Sequence, residues 1–90
     1  MIKVYSTLSL PWYVVPHKVG KHFVQKMLEN NQKIIQPAPV RIIWCYGANQ
    51  PAYEQMANTI KPTIEFYAGL PDDLYEQVQP SQNNLLIIDD

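Results

Sequence analysis

Val14-Val15-Pro16-His17-Lys18-Val19-Gly20-Lys21-His22 runs directly into Phe23-Val24-Gln25-Lys26-Met27-Leu28-Glu29. An apolar, strand-like run from Trp12 to Val15 meets a turn, then a Gly-Lys pair, then a stretch with helical periodicity. That is the layout of a phosphate-binding loop, G-x-x-x-x-G-K-[ST]. In such a loop backbone N–H groups cradle phosphate, the lysine neutralises its charge, and a hydroxyl holds magnesium. Half of the pattern is present. Gly20 and Lys21 stand at its end, whereas Val15 occupies the first glycine position and His22 the hydroxyl position. The far end of the chain carries the complementary signal. Leu85-Leu86-Ile87-Ile88-Asp89-Asp90 is an apolar strand ending in acid, the form of a Walker B element, whose first Asp holds magnesium directly or through water.

Between these two stretches the chain reads as alternating helix and strand. From Gly20 to about Asn31, Phe23, Val24, Met27 and Leu28 form one helical stripe, and Pro37-Ala38-Pro39 forbids continuation. Val40-Arg41-Ile42-Ile43-Trp44-Cys45-Tyr46 is the clearest strand, closed by Gly47. Its nearly continuous apolar character suits a parallel strand covered on both faces. Gln50 to Ile60 reads as a short helix with Tyr53, Met56, Ala57 and Ile60 on one side, and Thr63 to Tyr67 alternates as a short strand. Gly69-Leu70-Pro71-Asp72-Asp73 is a turn that caps a short helix through Val78. A polar loop from Pro80 to Asn84 then leads to the last strand. Residues 1 to 11 alternate only loosely, and Pro11 interrupts them. The alternation predicts an α/β fold with a mostly parallel sheet.

Ninety residues suffice for one small domain but not for a complete nucleotide-binding α/β domain. An apolar fraction of 47% with 17% charged residues is globular, not disordered. A net charge of −1 with scattered Lys and Arg marks neither a nucleic-acid face nor a polybasic membrane anchor. No apolar run approaches the roughly 20 residues of a membrane span. The amino terminus lacks the apolar core of a signal peptide, which predicts an intracellular protein without membrane contact. Cys45 is the single cysteine, so no internal disulfide forms, in keeping with a reducing compartment.

F-V-Q-K-M-L-E-N, R-I-I-W-C-Y-G, Q-P-A-Y-E-Q, I-E-F-Y-A-G-L-P and N-N-L-L-I-I-D-D follow one another in this chain. Their succession resembles virus-derived P-loop ATPases of virus-like and mobile elements, a group associated with the FtsK–HerA class of DNA-packaging motors. The resemblance covers Phe23 to Asp90 and stops at the loop, where the family has G-P-[ST]-x-[SC]-G-K-T. It implies an incomplete P-loop NTPase domain, residues 1–90 being its N-terminal part. The ancestral activity would couple ATP hydrolysis to DNA translocation or genome packaging. ATP and Mg2+ would be the cofactors, DNA a partner of the full-length protein, and a homo-oligomer the ancestral assembly. Gly20, Lys21 and His22 would then mark the nucleotide-binding loop, Asp89 the metal ligand, and Asp90 the acid that activates water. Asp90 stands where this class commonly has Glu, and its shorter reach weakens it as a base.

The same resemblance implies a sheet in which a strand beyond Asp90 separates the Walker B strand from the phosphate-loop strand. Without it, the chain would lack the centre of its sheet and leave backbone groups unpaired. Each lost pairing costs about 1 kcal/mol, against roughly 5–15 kcal/mol for a whole domain.

Each candidate residue also has an ordinary reading. Lys21 can be a solvated lysine in a first helical turn, Gly20 a turn glycine, and Asp89 an acid that solubilises the end of a buried strand. His17, His22 and Cys45 lack zinc spacing and read as loop and core residues. Trp44, Tyr46, Tyr53 and Phe66 read as core or strand-end packing. The corresponding alternatives for the whole chain are a non-catalytic remnant and a small α/β binding module with no nucleotide binding.

The departure at the loop has an explanation in the genetic code. Read one base over, the Trp12–Tyr13 junction is GTA and forces Val. The later junctions through His22 permit C-G-P-T-Q-S-G-K-T, a complete phosphate loop. Residues 6–22 are therefore read as an out-of-frame translation. The encoding nucleic acid should carry compensating insertions or deletions, one before about Pro11 and one near His22. Repeated clean reads with no such change relative to close relatives would sink this explanation.

Overall fold

A computed structural model describes residues 2–6, 20–77 and 82–89. The expected strand at Trp12 to Val15, the loop positions Val15 to Val19, and Val78 and Asp90 lie outside them. Among the described residues four strands and four helices follow in the order β1 (Ile2–Ser6), α1 (Lys21–Glu29), α2 (Asn31–Ile34), β2 (Arg41–Tyr46), α3 (Pro51–Thr59), β3 (Ile64–Ala68), α4 (Leu74–Gln77) and β4 (Asn84–Asp89). The strands form one sheet in the order β1-β4-β2-β3. β2 pairs in parallel with both β3 and β4, and β1 pairs antiparallel with β4. The sheet is thus mixed and mostly parallel, as the alternation of elements predicts.

β1 is the departure from expectation. Its register runs from Ile2 opposite Asp89 to Ser6 opposite Leu85. It pairs with the edge of β4 that faces away from β2, beside which the resemblance implies a strand beyond Asp90. β4 is therefore an interior strand with both edges hydrogen-bonded, and the phosphate-loop strand that would flank the expected gap lies outside the described residues.

Two crossovers explain where the helices lie. β2 passes through α3 to β3 on one side, and β3 returns through α4 to β4 on the other side of β2. Parallel crossovers share one hand, so a reversal of direction sends the second helix to the opposite face. The core divides accordingly. On one face Ile42, Trp44, Ile64, Leu85 and Ile87 pack with Val24 and Leu28 of α1 and with Tyr53, Met56 and Ile60. On the other, Ile43, Cys45 and Leu86 pack with Leu74 of α4. Both faces of β2 are covered, which is why its apolar run is nearly unbroken.

The helices obey their patterns with one adjustment. Pro51 opens α3, where its fixed φ suits the first turn and its missing N–H costs nothing. Val24 and Leu28 of α1 are fully buried, but Phe23 lies at the edge of the stripe and is 58% exposed. Asn31, just beyond the end of α1, is buried. Its Nδ2 donates to Leu28 O at 2.6 Å and to Lys61 O at 2.8 Å. That ties the end of α1 to the segment just before β3. At the start of β4, Asn83 accepts a hydrogen bond from Ser6 Oγ, donates to Pro37 O at 2.6 Å, and offers its carbonyl to Val40 N at 2.9 Å.

Ile87, completely buried in the middle of β4, is the position most sensitive to truncation. Ile87→Ala should cost about 2–5 kcal/mol. Val40→Ala, at a residue 52% exposed, should change stability by less than about 0.5 kcal/mol. Denaturant unfolding monitored by tryptophan fluorescence checks both.

Candidate functional site at the carboxyl edge of the sheet

β2, β3 and β4 all end at one edge, and two backbone bonds fasten those ends together. Gly47 N donates to Asp89 O at 3.0 Å, and Gly69 N donates to Tyr46 O at 2.9 Å. Gly69 has φ +83°, a conformation that disfavours any side chain, so the turn after β3 requires glycine. The chain leaves β2 toward α3 on one face and leaves β3 toward α4 on the other. Such a divergence opens a crevice beyond the strand ends, the usual ligand position in open α/β sheets. A cleft of about 180 Å³ lies there, lined by Cys45, Tyr46, Gly47, Gly69, Leu70, Ile88 and Asp89.

Asp89 is the acidic residue at the end of β4. It is only 8% exposed, and its side chain projects on the α3 face, where its Oδ2 accepts a 2.9 Å hydrogen bond from the Tyr53 hydroxyl. Tyr53 is itself held by aromatic packing, stacked on Phe66 at 4.8 Å and tilted against Trp44 at 5.5 Å and Tyr46 at 5.4 Å. Burial, and then the bond to Asp89, push the Tyr53 hydroxyl up to about 12. The buried Trp44 Nε1 has no hydrogen-bond partner among the described residues. Burial also raises the Cys45 thiol, which keeps it protonated and unreactive as a nucleophile.

The loop residues sit at the start of α1. Gly20 is exposed, precedes the helix in extended conformation (φ −77°), and accepts from Val24 N at 3.2 Å. A Cβ there would meet nothing within 4 Å among the described residues, so neither the backbone angle nor packing against those residues requires glycine at this position. Lys21 is the first helical residue, and its side chain lies outside the described atoms. His22 is exposed in the first turn. The C-terminal end of α1 is anchored through Asn31 to Lys61, at the amino edge of the parallel strands. α1 packs on the same face of the sheet as the Asp89 side chain. Asp90 lies outside the described residues.

Sequence reasoning missed the role of Tyr53, which it read as packing alone. Its position on the buried stripe of α3 carries no sign of a hydrogen bond to an acid 36 residues away. Among the described residues no group of three His, Cys, Asp or Glu could hold a metal ion unaided. A single carboxylate completed by phosphate oxygens and water is nevertheless a common magnesium arrangement, and the hard oxygen donor of Asp89 fits it.

The chain matches no protein-family model, no curated protein and no solved structure. No helix among the described residues is long and apolar enough to cross a membrane.

Tyr53 yields a pH prediction. A tyrosine titrates near 10 when unperturbed, and in the folded chain Tyr53 holds its proton to about 12. The stabilisation is fully present below pH 10 and is lost as pH rises through 10 toward 12, by up to about 1.4 kcal/mol per pH unit. Tyr53→Phe retains the ring contacts and removes this contribution. Unfolding curves of the two proteins should show their stability difference shrinking across that window.

Proposed function

We propose that this chain is part of an ATP-binding P-loop domain, ancestrally a DNA-translocating or genome-packaging motor, and that its loop as written is impaired. The observation that carries this reading is the shared face. α1, entered through Gly20-Lys21, packs on the face of the sheet to which the Asp89 side chain projects. A glycine that the fold itself does not need suits close approach of a phosphate. α1 has no side-chain cap and no acid in its first turn, which leaves N–H groups for an anion. In this reading Lys21 meets phosphate charge, Asp89 holds magnesium directly or through water, and Asp90 orients the attacking water. Magnesium would supply charge neutralisation between the phosphates and Asp89.

The substitutions in the loop oppose that chemistry. Val15 adds a branched Cβ where backbone must turn tightly, and His22 replaces a small hydroxyl with a ring. Lys21 alone is a point charge and does not orient a γ-phosphate for in-line attack. A second reading, a self-contained α/β binding module without nucleotide chemistry, is favoured by one observation. β1 completes the pairing of β4, so the sheet needs no further strand there.

Isothermal titration with Mg·ATP separates the two. The chain as written should bind weakly or not at all. Val15→Gly, His17→Thr, Lys18→Gln, Val19→Ser and His22→Thr together, in a chain extended past Asp90, should restore binding. Tight binding by the unmodified chain would mean that the loop substitutions are tolerated. No binding by the restored protein would favour the binding module.

A further inference from the structure

We propose that the outer edge of β3 is a self-association site, where a second copy of this chain adds its own β3 antiparallel and extends the sheet across a two-fold axis at Phe66. β3 is the end strand of the order β1-β4-β2-β3, and among the described residues only β2 pairs with it. Pairing at this edge is independent of any nucleotide chemistry at the carboxyl edge.

The backbone selects the register. Gly69 N donates to Tyr46 O, and Tyr46 lies opposite Ala68 in the parallel ladder. The residues flanking Ala68 therefore bond to β2, and Ala68 turns its own N–H and C=O outward. By the same alternation Ile64 and Phe66 face out, whereas Glu65 and Tyr67 face β2. An antiparallel copy centred on Phe66 sets Ile64 against Ala68, Phe66 against Phe66, and Ala68 against Ile64. Every pair joins outward-facing residues and exchanges both N–H···O bonds, so the edge is satisfied along its whole length. Moving the axis to Glu65 would set two like charges opposite each other and put Ala68 against Pro62, which has no N–H. Moving it to Tyr67 would carry Ile64 past the end of the strand.

The side chains agree with the same axis. Glu65 falls opposite Tyr67 of the second copy, and Tyr67 opposite its Glu65, at the positions where side chains approach most closely. Glu65 accepts from Arg41 Nε at 2.5 Å, from Arg41 Nη2 at 2.7 Å and from its own Tyr67 hydroxyl at 3.2 Å. That leaves one of a carboxylate's roughly four acceptor positions for the facing hydroxyl. Arg41 holds the Glu65 carboxyl below its usual range, so it remains an ionised acceptor. Edges that avoid partners carry lysine, proline or a bulge. Ile64-Glu65-Phe66-Tyr67-Ala68 has none of these, and its one charge is already paired with Arg41. A two-fold contact of this kind presents the same surface on both chains and closes at two.

Sedimentation equilibrium of the full chain over a range of concentrations should show one chain mass rising to two and stopping there. Ala68→Lys puts a charge on the edge, and Ala68→Pro removes an outward N–H that β2 does not use. Ala68 is exposed, so the fold tolerates either change, and unfolding curves check that it does. Both variants should stay monomeric. Hydrogen exchange locates the contact. The amides of Ile64, Phe66 and Ala68 should exchange readily in dilute solution and become protected as the dimer forms, while those of Glu65 and Tyr67 are protected throughout. A chain that stays monomeric when concentrated would overturn the proposal, as would a dimer that both folded variants leave intact. Concentration-dependent protection at other amides in place of these three would move the contact elsewhere and overturn it too. Growth beyond two chains would mean open-ended strand addition, and the closed two-fold pairing would be wrong.

Discussion

β4 is hydrogen-bonded along both edges, antiparallel to β1 and parallel to β2, and the rest of the structure depends on that double pairing. Four consecutive apolar residues from Leu85 to Ile88 project alternately into the two halves of the core. An open edge beside them would expose both unpaired backbone and apolar side chains, the combination that leads sheets to aggregate. β1 closes that edge with five residues, and its Ile2 and Val4 extend the face beneath α1 and α3. The Arg41–Glu65 pair spans β2 and β3 on the opposite face, with Arg41 Nη2 donating to Glu65 Oε1 at 2.7 Å. That interaction is half exposed and adds little by comparison.

The reversal of direction between the two crossovers links fold to site. Because α3 and α4 lie on opposite faces, the strand ends of β2 and β3 are left uncovered at the carboxyl edge. The fold creates a cleft there whatever its use. What is particular to this chain is the acid at the end of the interior strand and the aromatic cluster that grips it.

Strongly patterned elements were legible in the sequence. β2, β3, β4 and α3 follow from apolar runs, alternation and the proline that opens the helix, because burial on one or both faces imposes those periods directly. β1 was not legible. Ile2-Lys3-Val4-Tyr5-Ser6 alternates, but its partner lies at the other end of the chain, and no local signal reports a pairing across such a separation. The stripe of α1 was read one residue too wide, since Phe23 differs from Val24 only in its angle about the helix axis. The burial of Asn31 was not legible either, because its bond to the Lys61 carbonyl is created by tertiary contact. At the site, a strand ending in acid drew attention to Asp89, and the spacing of α3 put Tyr53 inward. The bond between them belongs to the packing of α3 on the sheet, which no single stretch encodes.

Asn83 gathers three distant parts of the chain: the end of β1 at Ser6, the Pro37 carbonyl, and the start of β2 at Val40. The consequence concerns the order of events as the chain is made. β1 is made well before β4, so it waits without its partner while the segments between them are synthesised. β2 and β3 can pair earlier through the short α3 crossover, but they too lack a neighbour on the β4 side. The sheet therefore closes only once Asn83 and β4 are available, in a step dominated by long-range contacts and correspondingly slow. Until then the apolar faces of the earlier strands stay exposed, and a chain interrupted before Asn83 has no means of covering them.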